Sequence, residues 1–175
     1  MQINIMDNYH RKRGFTLIEM VMVITIMGIL AIVAIPKLGS LTSQARKAAA
    51  DAIAGGLMAG ISISHAQWLA NGGNGAASIN LEGSQVMYMN QYGWPEDTAA
   101  PASGTANANK CLNVWNGLLD NPPLASNSAT QCAATVGCNY VANITGTTTC
   151  TYTDGQGTGV NVITYNITTG AVVAP

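Results

Sequence analysis

The chain has 175 residues, of which 48% are hydrophobic and only 9% charged, and its formal net charge is −1. A soluble domain usually carries about 25% charged residues, so an ordinary charge-solvated surface is excluded, as is a nucleic-acid binder working through a basic face. The length suits one modest domain plus an appendage.

The few charges are unevenly placed. Arg11, Lys12 and Arg13 supply three of the seven cations, and seven of the eight acids follow residue 14. Directly after the basic cluster, Phe15 to Ile35 forms an apolar run of 21 residues, interrupted only by Thr16, Glu19, Thr25 and Gly28. As a helix it measures roughly 31 Å, the thickness of a bilayer core. The basic flank predicts that residues 1–14 stay cytoplasmic and the rest is exported. A secretory signal peptide fits poorly, because the run exceeds the usual apolar core of such signals and contains Glu19. A plain anchor accounts for the length but not for the carboxylate, which costs about 2.5–3.5 kcal/mol at a bilayer centre and less near the interface.

The stretch RKRGFTLIEMVMVITIMGILAIVAIPKL resembles the N-terminus of type IV pilins and pseudopilins. That family has a basic leader ending in Gly, then an aromatic residue, then an apolar helix with Glu at its fifth position. Gly14, Phe15, Thr16, Leu17, Ile18 and Glu19 match in order, and the match covers about 30 residues. The resemblance implies removal of residues 1–14 by a prepilin peptidase cutting between Gly14 and Phe15. The same enzyme class would methylate the new amine on Phe15. An assembly platform in the inner membrane would then add the subunit to a helical homo-oligomer. Glu19, with Thr16 beside it, would meet the amine of a neighbouring subunit and set axial register; an intrachain pair with the Phe15 amine, one helical turn away, is the alternative. Gly28 and Pro36 match positions where similar pilins lose helical order on assembly. Proline removes a helical N–H and glycine is a poor helix former. A kinked but continuous helix in the free subunit is compatible with the same residues.

Beyond Pro36 apolar and small residues recur at three- and four-residue steps: Leu38, Leu41, Ala45, Ala48, Ala52, Ile53, Gly56, Leu57, Gly60, Ile61, Ser64 and Trp68. This predicts an amphipathic continuation over 37–70 carrying a head domain, with 15–36 as membrane span and filament core. Asn71 to Gly75 (NGGNG) ends the helix. The whole helix, 15–70, would reach roughly 84 Å. Residues 73–110 lack strong periodicity and read as a surface loop with one short strand, with Trp94 as a packing anchor. Residues 110–123 suggest one or two helical turns stopped by Pro122 and Pro123. Strand signals follow at 138–144, 148–153, 160–167 and 171–174, rich in Thr, Val, Ile and Tyr and separated by Gly-containing turns. The expected fold is α+β: a long N-terminal helix on a small antiparallel sheet of three or four strands within a head over 71–175.

Cys111, Cys132, Cys138 and Cys150 are spaced 21, 6 and 12 residues apart, with no C-x-x-C. Structural zinc sites place paired cysteines closer, so an even count beyond an export segment reads as two disulfides in an oxidising compartment. Of the three connectivities, Cys111–Cys132 with Cys138–Cys150 is the expected one. Four cysteines depart from the commoner two-cysteine plan of related pilins. The Gly-Trp-Pro turn and the Cys-Leu-x-x-Trp segment are similar to the mannose-sensitive haemagglutinin type of pilin.

No catalytic, cofactor-binding or metal-binding motif is evident. His10 and His65 lack a partnered nucleophile or carboxylate, with His65 read as a packing residue. The Gly-rich segments lack the Lys of a phosphate loop, and 154–159 (DGQGTG) lacks the carboxylates of a calcium loop. Asn143-Ile-Thr145 and Asn166-Ile-Thr168 match the N-glycosylation pattern. The chain reads as a substrate of an enzyme, not an enzyme. Its expected role is that of a major pilin, a structural subunit of a surface filament for adhesion, motility or DNA uptake, with nucleic acid a partner only in the last case. It would reside in the bacterial inner membrane as a precursor and then in the extracellular pilus (fimbrium). Without the leader, four positive and seven negative side chains remain, a charge of −3 that aids solubility. The alternatives are a type II secretion pseudopilin, disfavoured by the missing calcium site, and a minor pilin at a filament tip, disfavoured by the presence of Glu19.

Overall fold

The computed structural model describes residues 14–75, 77–81, 85–99, 105–155 and 161–175. It divides into two compact units, 1–43 and 44–175. Helix α1 (Leu17–Ala70) runs through the boundary between them and contains Pro36. In the first unit α1 is a bare apolar helix. In the second it is the backbone of a core.

Within the second unit the buried face of α1 is Ala50, Ala54, Leu57, Ile61, Ser64 and Trp68, spaced by alternating steps of four and three. That is one stripe of a 3.6-residue helix. Ala45, Ala48 and Ala52, grouped with this face by sequence, are exposed; alanine satisfies either side of a helix, so it marks phase poorly. Ser64 is tolerated inside because its hydroxyl donates to Gly60 O at 2.8 Å. The helix stops where expected. Asn71 N–H donates to Gln67 O at 3.0 Å and Gly73 N–H to Trp68 O at 3.1 Å, with Gly72 and Gly73 at positive φ.

Two sheets follow rather than one. β1 (Ser78–Leu81), β2 (Gln85–Met89) and β3 (Pro95–Asp97) form a three-stranded antiparallel sheet in the segment expected to be mostly loop. Each strand is short, which is why no period stood out. Alternation is still present, with Met87 and Met89 buried on one face of β2 together with Ile79 and Trp68. Pro95 opens β3, where a missing ladder donor is tolerated.

Asn107 caps α2 (Ala108–Leu118), its side chain accepting from Lys110 N–H. The helix buries Cys111, Val114 and Trp115 on one side. The second sheet has the order β4 (Ala125–Ser126), β5 (Tyr140–Thr145), β6 (Thr149–Asp154), β7 (Val162–Asn166), β8 (Val172–Val173). It is antiparallel except that β4 runs parallel to β5. A short helix α3 (Ala129–Ala134), capped by Ser128, lies between β4 and β5 in the chain. Strands β5, β6 and β7 alternate strictly, sending Tyr140, Ala142, Cys150, Tyr152, Ile163 and Tyr165 into one core with Trp115 and the α1 stripe.

The disulfides join Cys111 to Cys150 and Cys132 to Cys138, so the neighbour-order pairing is corrected. Cys111 is in phase with Val114 and Trp115 on α2, and Cys150 alternates inward with Tyr152 on β6. Both face the shared core, and the bond ties α2 to the sheet. Cys132 and Cys138 close a small ring at the end of α3 instead.

Polar groups inside this core are matched. Tyr152 Oη donates to Cys111 O at 2.9 Å and Tyr165 Oη to Pro95 O at 2.8 Å. Burial pushes both phenols well above their usual range; for Tyr165 the neighbouring Tyr152 and Glu96 add to it. Tyr140 is also raised, by burial and then by Asp154. Lys110 Nζ meets Glu96 Oε1 at 2.6 Å, with both side chains nearly buried. Trp94 and Trp68 hold His65 between them, with ring centroids 3.9 and 5.6 Å away. His65 Nδ1 lies 2.6 Å from Gly93 O. Gly93 and Gly170 lie at positive φ against Trp68 and Trp94 respectively, where an added Cβ would come within 2.3 Å of the indole. His65 and Trp94 are thus packing residues.

Candidate processing and assembly site

The chain leaves the described residues at its N-terminal side just before Gly14, so the basic cluster and His10 lie outside them. Gly14, Phe15 and Thr16 lie ahead of α1 outside any helix or strand. Phe15 is 86% exposed, and an added Cβ at Gly14 would meet nothing within 4 Å. Among the described residues nothing crowds the Gly14–Phe15 peptide.

Thr16 and Glu19 form one hydrogen-bonded unit. Glu19 Oε2 accepts from both Thr16 N–H and Thr16 Oγ1, each at 2.8 Å, and Thr16 Oγ1 accepts from Glu19 N–H at 3.3 Å. This is a reciprocal capping box: the residue before the helix and the third helical residue satisfy each other's free backbone donors. The carboxylate also lies where the helix dipole favours a negative charge. Neither the register role nor the Phe15 pair anticipated this contact, although Thr-x-x-Glu before an apolar run is its sequence signature. Cleavage after Gly14 would place a new amine one residue before Thr16, so any pairing with that amine competes with or adds to the box.

From Leu17 onward the first unit exposes Ile18, Val21, Ile24, Leu30, Ile32, Ile35 and their apolar neighbours. α1 is long and apolar enough to cross a membrane, with a mean hydropathy of 2.7 over an 18-residue window of which none is buried. Thr25 hides its hydroxyl on Val21 O at 2.7 Å. Gly28 and Pro36 both lie inside a continuous helix. Pro36 leaves Ile32 O without its usual donor.

Among the described residues no group of three or more potential ligands could hold a metal ion. Residues 156–160, most of the segment weighed as a calcium loop, lie outside them. The two N-glycosylation patterns differ in setting. Asn143 is exposed, whereas Asn166 Oδ1 accepts from Thr168 and Thr169 N–H and shapes a turn.

Residues 9–35 match the prokaryotic N-terminal methylation motif. The type IV narrow pilus major component PilA5 of Thermus thermophilus is 44% identical over 57 residues, 33% of this chain and 49% of that protein. A fimbrial protein of Neisseria meningitidis is 32% identical over 112 residues, 59% of this chain and 65% of that protein. The chain thus spans between about half and two thirds of the length of these relatives. No solved structure matches. In its N-terminal methylation motif and over these stretches the chain is similar to type IV pilus and fimbrial proteins.

Proposed function

We propose that this protein is the major structural subunit of a type IV pilus-like filament. It is made as an inner-membrane precursor, cut between Gly14 and Phe15, methylated on the Phe15 amine, and polymerised through its apolar helix by the inner-membrane platform. The observation that carries this reading is the uncovered apolar surface of α1 from Leu17 to Ile35, with one carboxylate at its start. Such a surface is stable only in lipid or against other helices. A bilayer covers it before assembly, and neighbouring copies cover it afterwards.

Glu19 has two successive partners in this scheme. In the precursor it is satisfied by Thr16. In the filament it meets the methylated amine of an adjacent copy. A charge-assisted pair in low dielectric exceeds a surface cap in strength, so exchanging one partner for the other is favourable only when a neighbour is in register. Gly28 and Pro36 supply the weak points at which α1 yields under packing or extension.

Glu19→Ala tests the reading. The variant should be cleaved normally and remain in the membrane, with surface filaments lost on electron micrographs of sheared cells. Normal fibre abundance would contradict register by charge pairing.

A further inference from the structure

We infer that Asn74 is a site of spontaneous deamidation, the fastest of the three Asn-Gly junctions in the chain. These junctions are Asn71-Gly72, Asn74-Gly75 and Asn116-Gly117. The reaction is intramolecular. The backbone nitrogen of the glycine loses its proton, attacks the asparagine Cγ and expels ammonia, closing a succinimide ring. Water then opens the ring at either carbonyl and leaves aspartate or isoaspartate. One C–N bond forms as another breaks, and water is the only co-reactant. Glycine favours the attack because no side chain shields its nitrogen.

The attack needs a glycine N–H without a partner, room for the ring, and a backbone not held in a helix. All three asparagines are exposed, so access to water does not rank them. Their backbones do. Gly117 lies inside α2, where its N–H is committed to the carbonyl four residues earlier. An added Cβ at Gly117 would come within 2.6 Å of Met87 Cε, so the junction is also crowded. Gly72 N–H donates to Leu69 O at 3.1 Å in the closing turn of α1. Gly75 N–H has no hydrogen-bond partner among the described residues, and an added Cβ at Gly75 meets nothing within 4 Å.

Conversion at Asn74 reaches the core. Gly75 O accepts from Trp68 Nε1 at 3.1 Å, and Trp68 packs with Ile79, Met87 and Met89. Isoaspartate routes the chain through the side-chain carbon, which lengthens the link and shifts Gly75 against the indole. Either product also sets a negative charge just beyond the C-terminal end of α1, where the helix dipole disfavours it. The reaction runs one way, so the modified fraction rises with the age of the subunit. None of this depends on the filament reading.

The test uses full-length protein in detergent micelles, incubated for days at mildly alkaline pH. Peptides are then mass-analysed, with electron-based fragmentation to separate aspartate from isoaspartate. Asn74 should convert about fivefold faster than Asn71, whose glycine must first break one hydrogen bond. It should convert at least about tenfold faster than Asn116, which waits on local opening of α2. The same chain reduced and unfolded in guanidinium should convert all three at similar rates. An intact Asn74, Asn71 or Asn116 converting as fast, or the native order persisting in guanidinium would overturn the inference. Asn74→Gln should keep tryptophan fluorescence constant over the incubation while the unaltered protein drifts. Equal drift in both would overturn the link from Asn74 to Trp68.

Discussion

Two stretches of the same helix make opposite use of apolar residues. Between Leu17 and Ile35 the large side chains stay uncovered, while between Ala50 and Trp68 six residues disappear into a core. The second stretch is held by its own chain: two disulfides, a buried Lys110–Glu96 pair, and phenols hydrogen-bonded to backbone. Among the described residues the first has its helical ladder, the Thr16–Glu19 box and the Thr25 hydroxyl folded back on Val21 O. Hydrophobicity alone therefore does not mark a core. A continuous apolar surface requires lipid or copies of itself, whereas a narrow stripe with polar flanks requires a sheet.

The contrast can be probed by weakening each region in turn. The head should respond most to loss of Cys111–Cys150. Its cross-link spans 39 residues, against 6 for Cys132–Cys138. Loop-closure entropy gives about 4 kcal/mol for the longer loop and about 2 kcal/mol for the shorter. Denaturant unfolding of Cys111→Ala/Cys150→Ala and Cys132→Ala/Cys138→Ala variants should show that order. The reverse order would place the head's main restraint at the α3 ring instead.

Alkaline titration addresses the same core without mutation. Tyr152 and Tyr165 have native pKa values raised by burial, while the unfolded phenols ionise near pH 10. Above that pH the unfolded chain releases protons that the native head retains. Stability is therefore intact below about pH 10 and falls as pH rises beyond it, by up to about 1.4 kcal/mol per tyrosine per pH unit. Tyr152→Phe should lower stability at neutral pH, through the lost bond to Cys111 O, and make the alkaline fall shallower. An unchanged slope would mean that Tyr152 ionises in the native head.

The smallest effect belongs to the helix start. Thr16→Ala removes the hydroxyl half of the capping box, the acceptor for Glu19 N–H, worth ~1 kcal/mol, and leaves the backbone N–H of residue 16 on Glu19. Amide exchange at Glu19 in the full-length chain in micelles should quicken by about fivefold while α1 beyond Gly28 is unaffected. Equal exchange in both proteins would show that the box does not hold the first turn.

Much of this was legible in the residues. The α+β class, the helix end at NGGNG and four of the five strands of the larger sheet follow from periodicity and turn chemistry. The β1–β3 sheet was not, because strands of three to five residues carry too few alternations to rise above chance. Disulfide pairing was also hidden. Cysteine spacing says nothing of which helix face meets which strand, although the phase of Cys111 with Val114 and Trp115 hinted at an inward partner. At the N-terminus the apolar run and Glu19 stand out, whereas the Thr16–Glu19 box shows only as a short Thr-x-x-Glu signature that the charge of Glu19 overshadows.

The most direct test is mass analysis of the N-terminal peptide from sheared surface material. The account predicts a chain beginning at Phe15 and carrying one methyl group on its amine. A chain retaining residues 1–14 within the fibre would contradict it, since Glu19 would then face an amide where a cation is required.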